Sequence, residues 1–176
     1  GEAAVNWVEE KDQQLDTLAQ MLKSSRDEVN SKVEQLIQKL KDQDKQLTAL
    51  KGKMASQAGS DLGSQAEEVN GVKVLTAHLD GADSNTLRDT LDQLKNKLGT
   101  AAIVLASEEG GKVKLIAGVT KDLTSNIKAG ELVNIAAAEV GGKGGGRPDM
   151  AQAGGSNPAA SPQALEAAKS WLQGKL

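Results

Sequence analysis

Cysteine, tyrosine and phenylalanine are absent from the 176 residues, and histidine occurs once. Without cysteine there is neither a disulfide framework nor a thiolate metal site, a composition suited to a reducing compartment, so the cytoplasm is the expected location. With Trp7 and Trp171 as the only aromatics, any core must be aliphatic and platforms for stacking unpaired bases are almost missing. No apolar run approaches the roughly 20 residues that a membrane helix needs, and no basic-then-apolar signal opens the chain, so no membrane partner is expected. An excess of one charge is also lacking: the net charge is −3, with 9 basic against 10 acidic residues up to Gln57 and 12 against 14 beyond. Any polyanion must therefore be met by a local cationic patch rather than by bulk charge. The chain opens on Gly instead of Met, as expected of a piece of a longer protein.

What is present is enough to fold. Apolar residues at 38%, together with 19 glycines, approach the usual share of a globular chain. Residues 6–56 read as helical, with Leu15, Leu18, Leu22, Val29, Val33, Leu36, Leu40, Leu47, Leu50 and Met54 close to the 3.6-residue period. Ser25-Arg26-Asp27-Glu28 has the form of a capping box, which marks a helix start inside the helical pattern and predicts a turn at Lys23 to Ser25. Two helices follow, about 4–22 and 26–56. The narrow apolar stripe of the second requires a partner, either the first helix in a hairpin or a second copy of the chain in a coiled coil. Trp7 is expected at a helix–helix contact.

Gly and Ser dilute the pattern in "SQAGSDLGSQAEEVNG", which divides the chain into a helical spacer (1–57), a linker (58–70) and a globular domain (71–176). In the last, "GVKVLTAHL" reads as a strand and "DSNTLRDTLDQLKNKLG" as an amphipathic helix with Asp83 or Ser84 as its cap and Gly99 as its stop. "AAIVLAS" is a strand buried on both faces, "EEGGK" a hairpin turn and "KVKLIAGVT" the returning strand. Helices follow over Leu132 to Val140 and from Ser161-Pro162 onward, the latter with Leu165, Ala168 and Leu172 inward and Trp171 in the core. The fold class is α/β (α+β): a small domain on a mixed sheet with flanking helices, preceded by a long helical hairpin or coiled-coil segment.

Catalytic constellations are scarce. His78 has no partner at ligand or triad spacing and reads as structural; Asp80 and Asp83 read as turn and cap residues. "GGKGGG" lacks the GK[ST] ending of a phosphate-binding loop and follows a helix instead of a strand. Yet "GGKGGGRPDMAQAGG", with seven glycines in fifteen positions, also carries Lys143, Arg147, Asp149 and Gln152. Glycine permits close backbone approach and positive φ, the two cations supply charge, and Pro148 holds Arg147 extended. The segment reads as a structured loop facing a polyanionic ligand, with "DMAQAGG" able to lie as a strand. A flexible linker is the alternative.

This motif, preceded by "KAGELVNIAAAEV" and a long helical segment, resembles the C-terminal, DHH-associated domain of bacterial alanyl-tRNA synthetases. "VNGVKVL", "IVLAS" and "VKLIAGVTKDLT" stand in that family's order, and "GEAA" looks like the point where the family's editing domain ends. The resemblance implies a non-catalytic module that binds the elbow of alanine tRNA and couples aminoacylation to editing in a parent alanine–tRNA ligase. ATP, Mg and Zn would serve parental domains outside this chain, with no cofactor in the fragment. It further implies a possible homodimer through the 26–56 helix. Gly141, Gly142, Lys143, Gly144, Gly145, Gly146, Arg147, Asp149 and Gly155, with Pro148, are carried over as the motif and as candidate tRNA contacts. Two alternatives remain: the nucleic-acid-binding half of a DHH-type phosphoesterase or exonuclease, and a purely structural dimerisation module.

Overall fold

Helical periodicity in the first third of the chain becomes two helices, α1 (Glu2–Leu22) and α2 (Val29–Gly63). The computed structural model describes residues 1–176 and divides into two units, Gly1–Leu50 and Lys51–Leu176. In the first unit α1 ends at Lys23, whose backbone is left-handed (φ 51°), and a 3₁₀ turn over Arg26–Glu28 opens at Ser25. The Ser25 amide (3.3 Å) and hydroxyl (2.9 Å) both donate to the Glu28 carboxylate, and these bonds hold that carboxyl below its ordinary range. Arg26 bonds Asp16 and lies 3.4 Å from Asp12. Beyond this elbow the unit buries little. Ala19 and Val29 are its buried apolar residues, and α1 meets the rest of the unit at the 3₁₀ turn. The hairpin reading thus holds at the elbow only, and Trp7, expected at a helix contact, is 60% exposed.

The second unit begins inside α2, seven residues before the expected linker. The linker expectation is corrected: residues 58–63 continue the helix, and 67–69 form a strand. Tertiary packing overrides the weak helix propensity of Gly and Ser there. Ala55 is fully buried, Ala58 and Leu62 lie on an apolar cluster, and Gly59 sits where a Cβ would stand 3.4 Å from that of Gln93.

Six strands form one sheet: β1 (Glu67–Val69), β2 (Val72–His78), β3 (Ala101–Glu109), β4 (Lys112–Val119), β5 (Lys143–Arg147) and β6 (Met150–Gly155). Their order is β1-β2-β3-β4-β6-β5. Only β2 and β3 run parallel, joined by α3 (Ser84–Leu98) as the crossover. Asn70-Gly71 and Gly110-Gly111, with positive φ throughout, turn the β1–β2 and β3–β4 hairpins. One face of the sheet packs on α4 (Ala129–Glu139) and α5 (Ser161–Lys175) through Val104, Leu115, Leu132 and Leu172. The other packs on α3 through Ile103, Leu105, Ile116 and Leu91. Trp171 is half-buried against the first cluster, with the Lys175 ammonium 5.4 Å from its ring centre.

The glycine segment is a hairpin, not a loop. Its first two residues end α4: the Gly141 amide donates to Ala138 (3.3 Å) and the Gly142 amide to Ala137 (2.8 Å), a Schellman arrangement with Gly141 left-handed at φ 68°. The chain then runs out along β5, turns at Pro148-Asp149 and returns as β6, with Arg147 opposite Met150 and Lys143 opposite Gly154. The two backbones lie unusually close. A Cβ on Gly142 would stand 1.7 Å from the Gly154 carbonyl oxygen, one on Gly144 2.2 Å from that of Gln152, one on Gly146 2.5 Å from that of Met150, and one on Gly155 2.5 Å from that of Val140. Four glycines of the motif are therefore demanded by the fold.

Two predictions follow from these contacts. Gly142→Ala and Gly144→Ala force backbone apart and should each cost about 1–3 kcal/mol or more in denaturant unfolding. Gly145→Ala, whose Cβ meets nothing within 4 Å, should stay within about 0.5 kcal/mol of wild type. Asp83 caps α3 by accepting the Thr86 amide (2.8 Å) and also pairs with Lys51; the Lys51 contact first, then the Thr86 bonds, hold its carboxyl far below the ordinary value of 3.8. A depressed carboxyl stabilises the fold above its unfolded pKa and loses that contribution as pH falls towards the folded value. Asp83→Ala should thus cost about 0.5–2 kcal/mol at pH 7, and the gap from wild type should narrow in melts below about pH 4.

Candidate nucleic-acid interface

Uneven coverage of the two sheet faces creates the site. Side chains at odd positions of β5 share a face with Met150, Gln152 and Gly154 of β6, which is the α3 side of the sheet. Helix α3 packs on β3 and β4, so the β5–β6 hairpin projects past it with that face open. Lys143, Gly145 and Arg147 are all exposed there. The helix contributes Arg88, which lines a concavity of about 290 Å³ together with Gly145, Gly146, Arg147 and Gln152.

The turn that carries Arg147 is fastened on three sides. The Pro148 carbonyl accepts from the first amide of α4, Ala129 (2.8 Å), and the Asp149 carbonyl accepts from Val119 at the end of β4 (3.0 Å) and from Lys95 of α3 (3.2 Å). The edge of β5 is closed by a carboxamide: Asn134 of α4 accepts from the Gly144 amide (2.9 Å) and donates to its carbonyl (3.0 Å), which blunts a strand edge otherwise open to pairing. The Asp149 carboxylate receives Arg147 Nε at 3.2 Å and has Lys95 Nζ at 3.9 Å. Arg147 is oriented by this carboxylate and keeps 67% of its side chain exposed. Two of its five guanidinium donors serve Asp149, leaving the outward side of the fork for an anion.

The motif residues named from sequence thus divide into two groups. Gly142, Gly144, Gly146 and Gly155 are explained by backbone packing and Gly141 by helix termination. Lys143, Gly145 and Arg147 face outward, and Asp149 holds Arg147. Sequence reasoning missed Arg88, Lys95 and Asn134. Arg88 and Lys95 stand seven residues apart on α3, a spacing that places both on one side of a helix, but nothing in the sequence says the hairpin lies beside it. His78 reaches Asp80 (3.0 Å) and has Glu108 at 3.6 Å, tying the end of β2 to β3, and no group of three or more metal-ligating side chains is present. No helix is long and apolar enough to cross a membrane.

The chain is 54% identical over all 176 residues to the alanine–tRNA ligases of Paraburkholderia phytofirmans and Nitrosococcus oceani, and it spans 20% of the length of each. The C-Ala domain from Aquifex aeolicus alanyl-tRNA synthetase superposes with a TM-score of 0.57 at 28% identity, covering 61% of this chain and 97% of that one. Residues 71–174, which include the whole hairpin and all but the last residue of α5, match the family model of the DHHA1 domain. The chain belongs to the DHHA1 domain family.

Proposed function

We propose that this chain is a non-catalytic tRNA-binding part of an alanine–tRNA ligase, acting in the cytoplasm. It holds the elbow of alanine tRNA so that aminoacylation and editing elsewhere in the parent work on one molecule. The observation that carries this reading is the open face of the β5–β6 hairpin, where Lys143 and Arg147 flank a strip of bare backbone. Identity of 54% across the full chain to proteins of that name favours the synthetase over the phosphoesterase alternative. A folded RNA suits the site better than an unpaired strand, because Trp171 is engaged with core and Lys175 and no other aromatic belongs to this unit. ATP, Mg and Zn belong, on this reading, to other parts of the parent.

A second partner, another copy of this chain, is inferred from α2. Leu36, Leu40 and Leu47 fall on one helical stripe and are 42%, 65% and 50% exposed, so the stripe has no intramolecular cover. In the first unit Arg26, Asp12 and Asp16 meet at the elbow, away from that stripe.

Fluorescence anisotropy with alanine tRNA tests the main reading: the chain should bind in a salt-dependent manner. Arg147→Ala should weaken binding by roughly 1.5–3 kcal/mol and lower the salt slope by about one; unchanged affinity would remove Arg147 from the contact. Sedimentation tests the second. The mass should rise towards a dimer with concentration, and Leu40→Glu should keep it at the monomer; a wild-type chain that stays monomeric at high concentration refutes self-association through α2.

A further inference from the structure

Gly145 is the one glycine of the β5 strip that the fold does not explain. A Cβ there meets nothing within 4 Å, and its φ is absent from the positive values that glycine favours. Glycine inside a strand is also costly, since it packs nothing and loses the most backbone freedom. A larger or β-branched residue would suit an exposed strand position better. On each side, Gly144 and Gly146 are fixed by collisions with β6 backbone, so the glycine at 145 requires a separate cause. That cause must lie outside the chain, on the exposed face into which a side chain would project.

The same face offers the complement. Arg88 and Arg147 line the concavity floored by Gly145 and Gly146, one from a helix and one from a strand turn. Arg88 is exposed and takes part in no ion pair or side-chain hydrogen bond within the chain, whereas Arg147 is steered by Asp149. Two guanidinium groups of separate elements beside a floor that is bare backbone at Gly145 and Gly146 match a phosphodiester linkage with its ribose laid against that backbone. Gln152, on the same floor, supplies a neutral donor and acceptor for a ribose hydroxyl.

We propose that Gly145 and Arg88 form, with Arg147, a clamp for one sugar–phosphate step of RNA: the arginines take the phosphate and Gly145 gives the ribose van der Waals approach to the strand. Arg88 lies outside the glycine motif and enters the site only through the fold. The clamp rests on the RNA-binding reading above and adds the chemical group recognised and the residue roles.

The experiment uses the full chain and alanine tRNA, with thermal melts of every variant. Gly145→Val should melt like wild type and raise Kd by about tenfold or more, because a branched side chain occupies the floor without touching the chain's own atoms. Arg88→Ala should raise Kd by about tenfold and lower the salt slope by about one, and Arg88→Lys should recover the slope while recovering only part of the affinity. If Gly145→Val lowers the melting temperature, Gly145→Ala and the Arg88 variants decide. Wild-type affinity in the Gly145 and Arg88 variants, with Arg147→Ala still weakened, overturns the clamp and leaves the RNA reading standing. Absence of binding by wild type overturns both.

Discussion

The close approach of β5 to β6 is the constraint on which the functional face depends. Positions 142, 144 and 146 of one limb and 155 of the other hold backbone against backbone or against Val140, and any side chain there would drive the limbs apart. With the limbs held together, Pro148 and Asp149 reach α4, β4 and α3 at once through their carbonyls. Asn134 then satisfies both polar groups of Gly144, so the sheet edge is finished by a side chain. Each of these bonds has modest net worth, roughly 1 kcal/mol. Together they fix the Arg147 backbone from several directions, and a guanidinium can be aimed only if its strand does not move.

Much of the architecture was legible because local chemistry and tertiary demand agree. Asp83 and Gly99 bound α3 as their residue types suggest, Gly110-Gly111 turns the β3–β4 hairpin, and Ser161-Pro162 opens α5. Where they disagree, the sequence misleads. Strand β1 reads Glu-Glu-Val, too charged and short to announce itself, although Asn70-Gly71 behind it is a strong hairpin signal. The end of α2 carries Gly59 and Gly63, which look like breakers but let the helix come near Gln93 and Lys97. The candidate interface was half legible. Its glycines and cations stand out, but glycine has no pattern of its own: the alternation of packed positions at 142, 144 and 146 is hidden by Gly145 between them. Only the fold separates a glycine required from within from one that answers to an outside partner.

The helices of the first unit follow a different logic. Within Gly1–Leu50, a helix of 21 residues and the part of α2 from Val29 to Leu50 cannot rest on Ala19, Val29 and a few ion pairs at the elbow, since exposed pairs contribute about 0–1 kcal/mol each and isolated helices are marginal in water. Their apolar positions keep the helical period without intramolecular cover. Such a stripe is the basis of the proposed self-association. The capping box at Ser25–Glu28 then has a clear purpose: it starts α2 at a defined residue, which fixes where that stripe begins.

Charge raises a last difficulty for the proposal that a chain of net charge −3 holds a polyanion. The screening length at physiological salt is about 8 Å, so an anion on the hairpin feels the groups beside it and little of the remaining surface. There cations gather. Arg88, Lys95, Lys143 and Arg147 stand on or beside the open face, and the carboxylate of the hairpin turn, Asp149, is already divided between Arg147 and Lys95. Were Asp149 unpaired it would repel phosphate; paired, it spends its charge on orienting the arginine. A local patch of this kind provides contact without the broad cationic field that would attract every nucleic acid, which suits the proposed role of positioning one RNA.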